Sequence, residues 1–166
     1  MFKLIEDPQN KKVMMANAKL PNHISKGIRK GAYISGKALV AELRSDMNRS
    51  KSGKTYKVTT GIGGKVLKKP RLHRASSSSE APAVISGEFR KSVDFLVRGN
   101  RTLEFGSGNE DLAKDYARVL ELGSDKMAAR KPLGRTVKKL ENQVKTNLAR
   151  EVNKQIKAAG FNVKNI

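Results

Sequence analysis

Cysteine is absent from this 166-residue chain, and only two histidines, His23 and His73, are present. The first absence excludes disulfides, thiol catalysis and cysteine-ligated zinc, and two imidazoles are too few for a multi-histidine metal centre. No apolar run approaches the ~18 residues that a membrane-spanning helix requires. The first twelve residues lack the basic and then apolar layout of a signal peptide, so we expect a soluble protein of a reducing or redox-neutral compartment.

Negative charge is scarce, because 35 Lys and Arg face only 15 Asp and Glu, for a formal charge of +20. Residues 49–74 contain nine basic and no acidic residues and residues 130–166 contain ten and two, whereas residues 75–129 contain seven and nine. This segregation predicts a polyanionic neighbour, an acidic protein surface, or oppositely charged patches that meet between copies. Aromatic residues are only 5% of the chain, so contacts with DNA are expected at phosphates and not at bases.

One long amphipathic helix dominates the first third of the chain. Pro21-Asn22 is a start signal for it. Apolar residues then recur at steps of three or four and their multiples, at Ile24, Ile28, Ala32, Leu39, Leu43 and Met47. The glycines at positions 27, 31 and 36 weaken a helix intrinsically, but they would also let a neighbouring element come close to this face.

Shorter elements flank this helix. Residues 2–6 indicate a short strand, and residues 11–20 favour one or two helical turns over a strand. Residues 56–60 and 65–67 have the composition of two strands joined by a glycine-rich turn. Residues 70–83 have no periodicity and include four consecutive serines, so we expect an exposed and mobile connection there.

The second half of the chain alternates strands and helices. We expect a helical turn over residues 86–92, strands over 93–97 and 102–105, and a helix over 110–122 that ends at Gly123. Pro132 then opens a second long helix that Gly160 closes. Its apolar stripe is Val137, Leu140, Val144, Leu148, Val152 and Ile156.

These elements predict an α+β fold in which a small antiparallel β-sheet packs with two long amphipathic helices. We expect one domain over residues 1–166, with a flexible, basic and serine-rich loop at about 48–84.

Motifs for chemistry are not completed anywhere in the sequence. Gly53-Lys54-Thr55 has the ending of a phosphate-binding loop, but Asn48 stands where its first glycine is required. His73 has no carboxylate nearby in sequence to orient it as a general base. The acidic residues from Glu104 to Asp115 match no calcium loop. We therefore expect no enzymatic activity, no cofactor and no metal.

Three stretches, taken in order, resemble one protein family. Residues 73–76, 80–82 and 86–92 (HRAS, EAP and SGEFRKS) resemble the pattern H-x-A-S…E-x-P-x…T-G-x-L-x-x-S. Residues 116–124 (YARVLELGS) resemble Y-A-x-x-x-E-x-G-T, and residues 127–133 (MAARKPL) resemble M-x-x-R-P-F with Lys131 inserted before the proline. The pattern resembles the neck and tail-completion proteins of long-tailed bacteriophages, including the minor-tail-protein-Z-like group. Its matching residues are Pro82, Ser86, Gly87, Phe89, Ser92, Tyr116, Ala117, Glu121, Gly123, Arg130 and Pro132.

The resemblance implies a structural virion protein at the head–tail junction. It implies a homo-oligomeric ring, most simply a hexamer, with connector, head-completion, tail-terminator or tail-tube proteins as neighbours. The location implied is the neck or tail of the virion, and the host cytoplasm during assembly. In such a ring different patches of one subunit meet. We expect the acidic 75–129 region and a basic region to be those patches, in which case salt weakens assembly.

Genomic DNA in the channel is a second expected partner, contacted without sequence specificity. The alternative is a freestanding basic nucleic-acid-binding protein. Under either hypothesis, the candidate contacts with DNA or an acidic partner are Lys51, Lys54, Lys57, Lys65, Lys68, Lys69, Arg71, Arg135, Lys138, Lys139, Lys145 and Arg150.

Overall fold

The first long helix, α1, extends over Pro8–Asn48 in the computed structural model, which describes residues 8–60, 65–77, 80–84, 87–108, 111–125 and 127–161. The predicted apolar face of α1 is confirmed, since Ala32, Leu39, Leu43 and Met47 are buried. The predicted start at Pro21 is wrong, because α1 continues through this residue. A proline inside a helix removes one backbone hydrogen bond but need not end the helix when residues on both sides are helical. The strand expected over residues 2–6 lies outside the described residues.

The remaining elements follow in the order β1 (Thr55–Thr60), β2 (Val66–Arg74), α2 (Glu88–Ser92), β3 (Val93–Arg98), β4 (Thr102–Ser107), α3 (Asp111–Leu122) and α4 (Pro132–Ala158). Within the described residues, β1 pairs with β2 and β3 pairs with β4 in two separate antiparallel sheets of two strands. The α+β prediction is therefore confirmed, although the expected single small sheet is divided into two.

Strand β2 is longer than the sequence indicates. It reaches Arg74, so residues 70–74 are not part of the expected connection. Thr55 pairs with Arg74 and Val58 with Arg71, but the register shifts before Thr60 pairs with Val66. Pro70 falls in this irregular part of β2, which is where a two-stranded sheet tolerates a residue without an N–H donor. Because proline is unfavourable in most strands, Pro70 made this part of β2 difficult to predict from the sequence.

The described residues divide into two compact units. One unit contains the described parts of Met1–Ser35, Val97–Leu103 and Asn142–Ile166, and the other contains those of Gly36–Leu96 and Glu104–Glu141. Helices α1 and α4 and the β3–β4 hairpin each contribute residues to both units.

In the first unit, α1 and α4 run antiparallel with their backbones in close contact. A Cβ atom on Gly27 would lie 2.6 Å from Cα of Val152, and one on Gly31 would lie 2.9 Å from Cα of Leu148. The prediction that the glycines of α1 admit a close neighbour is confirmed. The ion pair between Lys30 Nζ and Glu151 Oε2, at 3.4 Å, lies beside this contact.

The second unit contains an apolar core built from four elements. Its buried residues are Val40, Leu43 and Met47 of α1, Phe89 of α2, Val93 of β3, and Ala117 and Leu120 of α3. Gly36 of α1 lets the ring of Phe95 lie directly against the helix backbone. This core fixes the position of α2 and α3, which carry five of the eleven family-like motif residues.

The predicted apolar stripe of α4 is only half-buried, and Val137 is 45% exposed. The buried side chains of α4 include the polar Thr136, Asn147 and Glu151. In the first unit the physical reason is the pair of glycines on α1, which bring the backbones together at the turn of α4 that carries Asn147 and Glu151. Hydrophobic periodicity does not detect a contact made by glycine and backbone.

Candidate functional site

The family-like motif residues that the structure describes all belong to the second unit, where they surround α2, α3 and the start of α4. Phe89 is buried, and its ring meets the ring of Tyr116 edge-on with centroids 5.7 Å apart at 82°. Ala117 and Pro82 are buried as well. Partial burial raises the pKa of the Tyr116 hydroxyl, while the charge of Arg130 acts in the opposite direction. This part of the motif is a packing cluster.

Glu121 caps the N-terminus of α4. Its carboxylate accepts hydrogen bonds from the backbone N–H groups of Leu133 at 3.1 Å and Gly134 at 2.8 Å. These amides belong to the first turn of the helix and have no partner within it, and the N-terminal end of a helix favours a negative charge. Pro132, at the first helical position, is buried and needs no partner because it has no N–H. The glutamate of the second motif therefore joins the end of α3 to the start of α4.

Gly123 and Arg130 shape the connection between these two helices. Gly123 ends α3 with φ +83°, and a Cβ there would lie 2.9 Å from the backbone nitrogen of Ala129. The backbone N–H of Arg130 donates to the Leu120 carbonyl at 2.8 Å, and its guanidinium donates to the hydroxyl of the buried Ser76. Lys131 has φ +49°, so the inserted residue occupies a left-handed conformation.

The remaining motif residues position α2 and the strands beside it. Gly87 precedes α2 with φ +80°, a conformation that glycine adopts without steric cost. The Ser92 hydroxyl donates to the Phe89 carbonyl at 2.9 Å and shares a hydrogen bond of 2.7 Å with the hydroxyl of Ser107. Ser86 lies outside the described residues. The motif side chains are thus engaged in packing and hydrogen bonds inside the second unit.

Glu80, from the first motif, joins two loops of the second unit. Its carboxylate accepts hydrogen bonds from the backbone N–H groups of Ser52 at 3.1 Å and Ser77 at 3.0 Å. These hydrogen bonds lower the pKa of the Glu80 carboxyl, and the nearby charge of Lys51 contributes in the same direction. The sequence indicated Glu80 only as the glutamate of the first motif. Its contacts with the two loops cannot be inferred from residue spacing.

A cavity of about 310 Å³ lies in the second unit between the end of α1 and the start of α4. Charged side chains line it, but Asp46 at the end of α1 and Arg49 just after α1 neutralise each other, since the Arg49 guanidinium contacts the Asp46 carboxylate at 2.8 Å. Burial lowers the pKa of Lys51, whose ammonium donates to the Asp46 carbonyl oxygen at 2.7 Å. Among the described residues, no group of three or more His, Asp or Glu could hold a metal ion.

Seven of the twelve predicted basic contacts lie in residues 51–71, and six of these are exposed. Strands β1 and β2 form what we call the basic ribbon, Thr55–Thr60 with Val66–Arg74. Its exposed cations are Lys57, Lys68, Lys69, Arg71 and Arg74, with Lys54 and Lys65 at its margins. The Arg74 guanidinium donates to the Thr55 hydroxyl and to the Lys51 carbonyl, each at 3.5 Å, so it differs from the other four. The apolar Val66 and Leu72 are also exposed, at 80% and 75%. Because cationic and apolar side chains alike face solvent, the ribbon is not part of the core.

The predicted contacts on α4 differ from those on the ribbon. Lys139 forms an ion pair with Glu42 and lies 3.5 Å from the Asp46 carboxylate, and the pKa of Glu42 is lowered by the hydrogen bond from Lys139. Arg150 lies 3.5 Å from the carboxylate of Glu151. Arg135, Lys138 and Lys145 are exposed. The twelve predicted contacts therefore fall into two groups. Two of the cations on α4 are already paired with carboxylates, whereas those on the ribbon are not paired with any described carboxylate.

Glu151 is a functional-looking residue that sequence analysis missed. It is 2% exposed, and the ammonium groups of Lys30 and Lys154 each lie 3.4 Å from its carboxylate. Burial alone would raise the pKa of Glu151. The two cations together lower it by more than burial raises it, so the pKa of Glu151 lies below its ordinary value. The only sequence signal was that Glu151 is one of just two acidic residues in a basic helix.

The described helices include none that is long and apolar enough to cross a membrane. No model of a known protein family, no curated protein and no solved structure matches the chain.

Proposed function

We propose that this chain is a non-enzymatic structural protein of a tailed-bacteriophage virion. It forms part of the neck or head–tail connector, or completes the tail so that the tail joins the DNA-filled head. One observation carries the proposal: three sequence motifs that resemble this family, separated along the chain, meet in a single unit around the α3–α4 connection. The resemblance rests on the three motifs taken together. Contacts between residues of different motifs therefore support it.

The contacts of the motif residues support a geometric role. Glu121 caps a helix, Gly123 permits a turn, and Arg130 holds Ser76. A catalytic group must instead present a polar atom to a substrate within hydrogen-bond reach. Side chains engaged in internal contacts stabilise the fold, and a stable fold is what a structural subunit of a ring requires.

We further propose that copies of the chain assemble into a closed ring, most simply a hexamer, in the virion neck or tail. Each subunit in a closed ring uses two different patches of its surface. The unequal distribution of charge supplies candidates for them, in the basic segments and the region of residues 75–129. If these patches meet, ring assembly weakens as salt shortens the range of the attraction.

The ring is tested by the mass and image of the purified protein. Six copies of an 18.3 kDa chain give a particle of about 110 kDa, measurable by light scattering, and negative-stain images should show a closed ring. Assembly on added connector or tail-tube proteins is measured in parallel, because such rings can require a partner. A chain that remains monomeric with those partners, yet binds nucleic acid, supports the alternative of a freestanding basic nucleic-acid-binding protein.

A further inference from the structure

We propose that the basic ribbon binds the phosphate backbones of double-stranded DNA without sequence specificity, lying in the major groove. The inference deepens the proposed function and rests on it for the source of the DNA, which would be the genome that passes the head–tail junction. The binding itself is a property of the ribbon and can be measured on the purified protein.

The charge of the ribbon is uncompensated over a long segment. No acidic residue occurs between Asp46 and Glu80, and the Glu80 carboxylate is occupied by backbone N–H groups. The side chains of Lys57, Lys68, Lys69 and Arg71 are exposed, and none of them forms a hydrogen bond or ion pair with another described residue. Four such cations favour a partner that carries closely spaced negative charges.

The register of the ribbon places these cations on both of its faces. Lys57 is opposite Leu72 and Val58 is opposite Arg71, and directly paired residues share a face. Lys57 and Arg71 therefore project to opposite sides. A flat acidic protein surface would contact one face only, whereas a groove of the duplex has a phosphate backbone on each side. Two strands about 4.8 Å apart fit a major groove about 12 Å wide.

The aromatic rings of the ribbon argue against single-stranded nucleic acid. Binding of single strands relies on bases stacking on exposed aromatic rings. The described ribbon contains two aromatic rings, the exposed Tyr56 and the half-buried His73, and they pack on each other with centroids 5.5 Å apart. The phosphate backbone is therefore the part of the nucleic acid that the ribbon is suited to contact.

The acidic residues of a second copy are a weaker alternative partner. Two of the nine acidic residues within residues 75–129, Glu80 and Glu121, accept backbone hydrogen bonds inside their own subunit and are less available to a neighbour. On α4, Lys139 and Arg150 are paired with carboxylates of the same chain. Among the twelve predicted contacts, the exposed cations without a partner among the described residues lie mainly on the ribbon and at its margins, so we assign DNA contact to the ribbon and not to α4.

The test compares two variants that lose the same charge. The ribbon variant carries Lys57→Gln, Lys68→Gln, Lys69→Gln and Arg71→Gln. The control variant carries Lys19→Gln, Lys26→Gln, Arg29→Gln and Lys157→Gln, all at exposed helical positions of the first unit, whereas the ribbon belongs to the second. Fluorescence anisotropy measures binding of unrelated duplexes of about 30 base pairs between about 50 and 200 mM salt. Circular dichroism verifies folding, and the double variant Lys68→Gln with Lys69→Gln replaces the ribbon variant if the latter is unfolded.

We expect wild type to bind all duplexes equally. In the ribbon variant the slope of log K against log salt should be shallower by about three to four, at about 0.9 per lost phosphate contact. The double variant should lose about half of that, and the control variant should keep the wild-type slope. Equal losses in ribbon and control variants overturn the proposal, because binding then follows net charge alone. So does tighter binding of polyglutamate or of single strands than of duplex.

The outcomes also separate this inference from the proposed function. A ring that completes particles but does not bind duplexes removes the role of the ribbon and leaves the structural role intact. A protein whose ribbon binds duplexes, but which is absent from virions, removes the structural role and leaves the ribbon assignment standing.

Discussion

The close contact between α1 and α4 in the first unit predicts an unusual sign for the Gly27→Ala substitution. In an ordinary helix interior, replacing glycine by alanine stabilises by about 1 kcal/mol, because the helix no longer orders a flexible glycine. Here the added Cβ would lie 2.6 Å from Cα of Val152 and 3.0 Å from the carbonyl oxygen of Glu151. These are backbone atoms, which cannot rotate away as a side chain can.

The expected magnitude follows from the two opposing effects. Inserting a carbon into a closely packed contact costs about 1–3 kcal/mol, and we expect the upper part of that range, about 2–3 kcal/mol, because the atoms in contact belong to the backbone. The intrinsic gain of about 1 kcal/mol offsets part of that cost. Gly27→Ala should therefore lower the free energy of unfolding by about 1–2 kcal/mol. For a chain of this length, that corresponds to a fall in Tm of about 2–8 °C.

Urea unfolding followed by circular dichroism measures this change. Lys26→Ala is the matched control, since Lys26 is exposed on the same turn of α1 and its replacement should alter stability by less than about 0.5 kcal/mol. If Gly27→Ala instead stabilises the protein by about 1 kcal/mol, the backbones of α1 and α4 are not in contact at this position and the packing described for the first unit is refuted.

Three further predictions concern the second unit and its neighbours. Glu121→Ala should cost about 1–2 kcal/mol in urea unfolding because it leaves the Leu133 and Gly134 amides without a cap, whereas Asp125→Ala, at an exposed site, should cost little; equal effects would remove the capping role. Gly123→Ala should destabilise more than Gly99→Ala, because both glycines have positive φ but only the Cβ at residue 123 meets backbone atoms; the order of the two Tm values decides this. The pKa of Glu80 lies below its ordinary 4.5 in the folded chain, so its contribution is complete above pH 4.5 and is lost as the pH falls through the folded pKa; Glu80→Gln should lose less stability than wild type between pH 7 and acid, and identical pH profiles would contradict the assigned hydrogen bonds.

The helices were predictable where their signals are local. The apolar repeat of α1 through Leu39, Leu43 and Met47, the proline that begins α4 and the glycine that ends α3 all act within a few residues of the chain. The strands β3 and β4 were likewise evident from alternation and a Gly99-Asn100 turn. These features depend on local backbone preferences of individual residues, which can be inferred from the sequence alone.

The remaining features depend on contacts between distant segments. Pro70 suggested a loop, but pairing with β1 keeps β2 extended to Arg74. Glu151 is buried against α1 because Gly27 brings the backbones together, and one of its two compensating cations, Lys30, is 121 positions away in sequence. The sequence predicted the positive charge of the basic ribbon. The placement of its cations on both faces became evident only from the register in which β1 pairs with β2. Periodicity within one segment contains no information about which other segment will approach it.

The role proposed for this chain is to join heads to tails by its shape. The most direct measurement is electron microscopy of particles from cells infected with a phage that encodes this chain, after the gene has been disrupted. The account predicts DNA-filled heads and separate tails, with joining restored by the wild-type gene supplied in trans. Complete and infectious virions from the disrupted phage would contradict it.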